Sequence, residues 1–426
     1  MKQSGIPWIG DIPKDWVVNR LKFIADIVLG KMLCNEDKGG YYKKSYLKSK
    51  NIQWLKVDVS SVDEMWFSAD ELKLYKLKQG DLILSEGGEV GKTCIWNNEL
   101  DECYIQNSAH KVTINKYNYN RFFLYLFNAY SEGFDSIVHK ISIAHLTKEK
   151  LMNVPIITPS LPEQNTIADF LDYKCEKIDT IIAIEETIIS ELNEYKQSTI
   201  QKATTKGISK TKMKNSGIDW VGEIPEGWEV KRLKYCADVV LGKMLCNEDK
   251  GNYQKKPYLK SKNIQWLNID ISDIEEMWFS EYELELYRLK KGDLVLSEGG
   301  EVGKTCIWNN ELEECYIQNS AHKVTINENN LNTFFLYLFH AYGSAGGFNS
   351  IVRTISIAHL TKDKLLNLQC CCPSLPEQRE IAAYLDKKTG EVDKLISIKQ
   401  KKITELKEYK KSLIYEYVTG KKEVPA

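Results

Sequence analysis

No stretch of this 426-residue chain is apolar for the 18 or so residues a membrane-spanning helix needs. Its opening, MKQSGIPWIGDIPKDW, has no charged-then-apolar leader, so a cytoplasmic location is expected. Charge of one sign is missing too. The 58 Lys and Arg against 59 Asp and Glu leave a net charge of −1, which excludes bulk electrostatic capture of nucleic acid but not local basic patches. None of the 11 cysteines falls in a C-x-x-C pair, which argues against zinc ribbons and thioredoxin-like redox sites. Cys94, Cys103 and His110 recur as Cys306, Cys315 and His322 at a spacing that fits no common zinc pattern, so buried, idle thiols in a reducing compartment are expected. There is no G-x-G-x-x-G run and no N-P-P-Y or D-P-P-Y run of the kind adenine methylation uses. Glu71-Leu72-Lys73 could belong to a metal-nuclease cluster, but its counterpart is Glu283-Leu284-Glu285. Lone histidines such as His145 and His359 read as core or turn residues. No catalytic constellation is present, and the chain is not expected to be an enzyme.

What the chain does contain is itself, twice. Ser4 to Trp16 returns as Ser216 to Trp228, an offset of 212 (216 − 4). Leu84–Leu100 (LSEGGEVGKTCIWNNEL) returns letter for letter as Leu296–Leu312, and Cys103–Asn115 as Cys315–Asn327. After Tyr130 the offset becomes 214, so that Leu161-Pro162-Glu163-Gln164 returns as Leu375-Pro376-Glu377-Gln378. The period is too long for a solenoid. It is a whole domain with its connector, duplicated and fused. Such a chain is a dimer in one polypeptide, suited to a ligand with two equivalent halves.

Each repeat reads as a mixed α/β globule of roughly 155 residues, enough for a core, followed by one long helix. In the first globule Leu82–Leu84, Cys94–Trp96 and Lys111–Ile114 read as short strands, and Arg121–Ala129 as a buried helix. Ser160-Leu161-Pro162-Glu163 has the S-x-x-E form of a capping box with Pro in the first turn, repeated at Ser374–Glu377. Beyond it, Ile167, Leu171, Ile178, Ile181, Ile188, Leu192 and Tyr195 form a coiled-coil-like stripe. Ile381, Leu385, Val392, Leu395, Ile403, Leu406 and Tyr409 form another. Helices of roughly 35–40 residues, about 50–60 Å long, cannot bury such stripes on one small globule. The expected partner of each is the other. The segmentation is therefore 1–159 (first globule), 160–201 (first spacer helix), 202–215 (a basic, mobile linker), 216–373 (second globule) and 374–418 (second spacer helix), with a tail to 426. Antiparallel helices would place the globules at opposite ends about an approximate two-fold axis, ready to read two inverted half-sites of duplex DNA.

Three duplicated segments are candidates for DNA contact. Lys43, Lys44, Lys48 and Lys50, with Lys255, Lys256, Lys260 and Lys262, interleave with a tyrosine and suit phosphate contacts; a solvated lysine face is the alternative. Glu86 to Thr93 imitates a P-loop, but Glu86 stands where the first glycine belongs and no helix follows. It is either a hairpin holding Lys92 and Thr93, or Lys304 and Thr305, near a phosphate, or a plain structural hairpin. Gln106-Asn107 and Gln318-Asn319 offer amides that can read adenine or cap a turn.

In their order, doubled, three motifs resemble the specificity subunit of Type I restriction-modification systems. They are Ile12-Pro13-Lys14-Asp15-Trp16 with Arg20-Leu21, Gly80-Asp81-Leu82-Ile83-Leu84 through Gly91-Lys92, and Leu161-Pro162-Glu163-Gln164 with Ile167. The last is two residues shorter than the family's L-P-x-x-E-Q-x-x-I. The resemblance implies an α+β fold: two target recognition domains separated by two long antiparallel helices, with pseudo-two-fold symmetry. It also implies a non-catalytic subunit that binds double-stranded DNA together with two modification subunits and with restriction subunits. S-adenosylmethionine, ATP and Mg²⁺ would belong to those partners. Recognition domains of the family usually differ within a chain. Here they nearly match, so the expected target is an inverted repeat with an unread spacer. Alternatives are a specificity module of a Type II-like system and a protein-binding coiled-coil scaffold.

Overall fold

The computed structural model describes residues 1–87, 89–130, 146–348 and 359–425. Gly88 of the glycine hairpin and the lone His145 lie outside them, as do His139 and its counterpart Arg353, a position where the repeats differ. Two compact units emerge: residues 1–185 with 401–426, and residues 186–400. Neither is a contiguous repeat, because each long helix contributes to both units.

In the first unit an antiparallel sheet runs in the order Thr93–Ile95, Leu82–Ser85, Ala109–Ile114, Ala25–Leu29. A second sheet places Tyr42–Leu47 between Tyr104–Ile105 and Asp63–Phe67. Alternation explains the split faces: Tyr46, Met65, Phe67 and Tyr104 form one apolar cluster, while Leu47, Ile83, Cys94, Trp96 and Ile105 form another. The helix Asn120–Ala129 buries Phe122, Phe123 and Phe127 completely, each stabilising the fold by about 2–3 kcal/mol. All 11 cysteines are buried free thiols. The second unit repeats both sheets from Ala237–Leu241 to Ala321–Ile326.

The shared motifs are joints. Gly80 turns with φ +88° and faces the Asn120 side chain, while buried Asp81 accepts from the Lys78 N–H (2.8 Å) and the Thr113 hydroxyl (2.6 Å). Glu163 accepts from the Ser160 N–H (3.1 Å), one half of a capping box, and also from the Trp16 indole (3.3 Å). Fully buried Gln164 accepts from the Tyr119 N–H (2.8 Å) and donates to Pro159 O and Asn118 Oδ1, both at 2.9 Å. Gln378 does the same with Leu331, Pro373 and Asn330. A fixed latch thus sets the direction in which each long helix leaves its globule.

Those helices span Leu161–Lys206 and Leu375–Val418, 46 and 44 residues. Their pairing is antiparallel in each unit. In the first, Phe170 packs at a tilt against Tyr417, and Asp179 pairs with Lys410 and Glu185 with Lys402, each at 2.7 Å. In the second, Lys196 pairs with Asp393 at 2.7 Å. The seam passes through Ile178 and Ile182; Ile181 and Leu395 are exposed, since a step of three and a step of four are equally apolar here. Residues 202–206 and 213–215, expected as part of a mobile linker, lie in regular structure instead. The helix continues to Lys206 with Ala203, Thr204 and Thr205 buried, and Met213–Asn215 pairs with Glu223–Pro225. The threonines close back on Ile200 O (2.8 Å) and Gln201 O (2.7 Å), and Lys206 donates to Val221 O (3.0 Å). Docking of that turn outweighs its polar composition.

Candidate nucleic-acid interface

Three of the duplicated segments meet at one end of the sheets. The Gln106-Asn107-Ser108 turn follows the parallel pairing of Tyr104–Ile105 with Tyr46–Leu47. Its Ser108 carbonyl accepts from the Ser49 hydroxyl and the Glu86 N–H, both at 2.9 Å, while the Ser49 N–H donates to Ser108 Oγ (3.0 Å). The lysine loop, the glycine hairpin and the amide turn are therefore one structure. The second repeat reproduces it through Ser261, Glu298 and Ser320.

Within the turn, Gln106 Oε1 accepts from the Ser108 N–H (3.0 Å) and its Nε2 donates to Asn107 Oδ1 (2.5 Å). Gln318 and Asn319 match these distances. Gln106 thus holds the turn, and the Asn107 side-chain NH₂ stays out of that network. Lys92 pairs with Glu89 (2.6 Å) and reaches Gln53 Oε1 (3.4 Å), and the Trp54 indole donates to Glu89 (2.8 Å). Lys304, Glu301, Gln265 and Trp266 repeat the brace. Thr93 and Thr305 do not fit the expected phosphate role: both are fully buried, with their hydroxyls donated to Gly91 O and Gly303 O at 2.8 Å rather than held out to solvent.

The lysines are matched by carboxylates. Lys48 pairs with Asp63, and Lys50 lies 3.7 Å from it. Lys260 pairs with Glu275, and Lys262 lies 2.5 Å from Asp273. Farther along the strand, away from the turn, Lys43 meets Glu64 (3.2 Å), Lys44 meets Glu102, Lys255 meets Glu276 (3.6 Å) and Lys256 meets Glu314 (2.7 Å). The Lys44 ammonium, then the Tyr104 hydroxyl, hold Glu102 down at about 2; Lys260, then Tyr258, do the same for Glu275. This is why a lysine-rich strand coexists with a net charge near zero.

One more duplicated element, not marked out by its residue types, joins the amide turn. Leu29–Lys38 (LGKMLCNEDK) recurs letter for letter at Leu241–Lys250, a signal that was available. Lys31, nearly buried, pairs with Glu71 over the Phe67 and Tyr41 rings, and its carbonyl accepts the Asn107 N–H (2.9 Å). Next to it Met32 and Leu33 are 75% and 51% exposed, as are Met244 and Leu245 at 75% and 52%. An exposed apolar pair thus sits beside the amide turn in both repeats.

The family model for the Type I restriction modification DNA specificity domain matches twice, over residues 13–194 and 225–408. The specificity subunit of the Type I restriction enzyme MjaVIII of Methanocaldococcus jannaschii is 25% identical over 96% of this chain and 93% of its own length. The putative MjaX specificity subunit of the same organism is 26% identical over 97% and 95%. Among solved structures, a chain from a study of complex assembly and conformational transition of the type I R-M system aligns with TM-score 0.72 at 16% identity, over 96% of this chain and 98% of that one. The HsdS subunit from Thermoanaerobacter tengcongensis aligns over the same shares with TM-score 0.51 at 18% identity. With two matches of one family model covering both repeats, and the latches at Trp16–Glu163 and Trp228–Glu377 in place, the chain belongs to the Type I restriction-modification DNA specificity family.

Proposed function

We propose that this chain, the non-catalytic DNA-recognition subunit of a Type I restriction-modification assembly, reads a bipartite duplex target whose two halves are one sequence in inverted orientation. The observation that carries this is the near-complete duplication of the recognition loops, letter for letter in the glycine hairpin and the amide turn, each set in a unit whose long helices pair antiparallel. Duplex DNA has two-fold axes perpendicular to its length, so two like readers in one chain suit a target whose halves repeat in inverted orientation. Asn107 and Asn319 are the amides proposed for base edges, Lys48, Lys50, Lys260 and Lys262 for phosphates, and the Met32-Leu33 and Met244-Leu245 pairs for thymine methyl groups. Two modification subunits carrying S-adenosylmethionine, and restriction subunits using ATP and Mg²⁺, are proposed as partners that do the chemistry.

Mapping methylated adenines in a host that expresses the chain with its partners tests the reading. One half-site and its reverse complement, separated by a fixed unread spacer, is the expected result. Two unrelated half-sites would refute it, and the absence of saturable duplex binding with partners present would favour a protein scaffold instead. Binding measured against salt checks the phosphate assignments. Lys48→Ala and Lys260→Ala are each expected to flatten the plot of log affinity against log salt by about 1, without changing which sequence is preferred. An unchanged slope removes those lysines from the interface.

A further inference from the structure

The two repeats differ at one joint. In the first, Arg121 grips Asp172 of the long helix with two parallel bonds, Nε to Oδ2 at 2.5 Å and Nη2 to Oδ1 at 2.6 Å, and the Tyr125 hydroxyl donates to Oδ1 at 2.7 Å. In the second, Asp386 and Tyr337 keep their places, with the same hydroxyl-to-carboxylate bond at 2.7 Å, but Thr333 stands where Arg121 would. Thr389 replaces Cys175 and adds a hydroxyl 3.2 Å from Tyr337 Oη. A cavity of about 690 Å³ opens at this point, lined by Thr333, Tyr337, Asp386, Lys196, Asp393 and Lys291.

We infer that the second repeat carries a binding site for an alkylguanidinium group, seated on Asp386 beside Tyr337 and Thr333, which the first repeat fills with its own Arg121. The first repeat shows that this carboxylate, set by this tyrosine, accepts a planar two-point donor. The cavity is not a general cation trap. Lys196 is paired with Asp393, and Lys291, which stands where the first repeat has Gln79, offsets the second carboxylate. With the charges balanced, selection rests on the fork geometry of a guanidinium, which an ammonium cannot reproduce. The site lies apart from the amide turn and does not depend on how DNA is read.

Titration of the full chain with ethylguanidinium, followed by saturation-transfer NMR, tests this. One saturable site in the millimolar range is expected, with ethylammonium weaker by roughly tenfold or more. Asp386→Asn should weaken binding by a similar factor. Thr333→Arg, which installs the sister repeat's own pair in a fold known to hold it, should abolish binding, and Lys291→Gln should strengthen it. Equal binding of ethylammonium, or undiminished binding to Thr333→Arg, overturns the inference. Repeating the titration on the assembled complex identifies the source: loss of the site there assigns it to an arginine side chain of a partner subunit, and retention assigns it to a free small molecule.

Discussion

Gly30→Ala and Gly242→Ala are each expected to lower stability by about 2–4 kcal/mol and to abolish reading of one half-site only. Neither glycine is there for a left-handed backbone. The reason is contact: a Cβ on Gly30 would lie 2.3 Å from the Gln106 carbonyl oxygen and 2.4 Å from its carbon, and one on Gly242 would lie 2.3 Å from Gln318 O. The obstacle is backbone, so no rotamer change relieves it. Nor can the strand slide away, because the Gly30 N–H donates to Ala109 O and the Lys31 N–H to Ile105 O, both at 3.0 Å. Relief must come from the Gln106-Asn107-Ser108 turn, which would then leave the Ser49 and Glu86 bonds that assemble the candidate interface. Urea midpoints and affinity for duplexes carrying one intact half-site would measure both effects. Because the segments are identical, the two variants should be equivalent on opposite halves. Unchanged midpoints together with unchanged half-site binding would sink this account of the turn.

The second large effect is acid lability of the 186–400 unit. Burial, then the nearby Lys196 charge, push His340 down to about 4, against an ordinary value near 6.5. Its ring packs edge-on to Trp266 at 5.2 Å, with Ser344 Oγ 3.5 Å from Nδ1. Burial also lowers His322, whose Nε2 faces Leu360 O at 2.6 Å. The unfolded chain therefore binds protons that the folded unit refuses. Stability from His340 is full above about pH 6.5 and is lost as pH falls toward 4, by about 2–3 kcal/mol near pH 4.5. The first repeat has Asn128 at the equivalent place, so the 186–400 unit should open first. Amide exchange at about pH 7 and pH 4.5 would show the order, and His340→Asn should remove most of the difference. Carboxylates act in a lower window. Glu102 and Glu275, held near 2 by Lys44 and Lys260, contribute stability that is present above about 4.5 and lost only as pH approaches 2.

Much of this protein was legible as text, for physical reasons that are local. An S-x-x-E start with its proline, a stripe of apolar residues at helical spacing, and glycines flanking short β-branched runs each report their own neighbourhood, and duplication reports itself. Even so, the stripe misled where Ile181 and Ile182 adjoin, because periodicity alone does not tell which of two adjacent isoleucines meets the partner helix. The basic composition of residues 202–215 suggested a solvated tether, which holds for the exposed residues 208–215, whereas burial of Ala203, Thr204 and Thr205 keeps the start of the segment in the docked last turn of the helix.

The amino-acid order by itself settled that there are two like domains, that each continues into one long helix, and which family they belong to. Tertiary structure alone decided which chemistry is exposed. It turned the Thr93 side chain inward, matched Lys48 to Asp63 fifteen residues away (63 − 48), pressed Gly30 against Gln106, and left Asp386 beside a cavity where its twin Asp172 holds an arginine. Those outcomes depend on pairings between segments distant in the chain. Local residue patterns constrain such pairings only through the fold that brings the segments together.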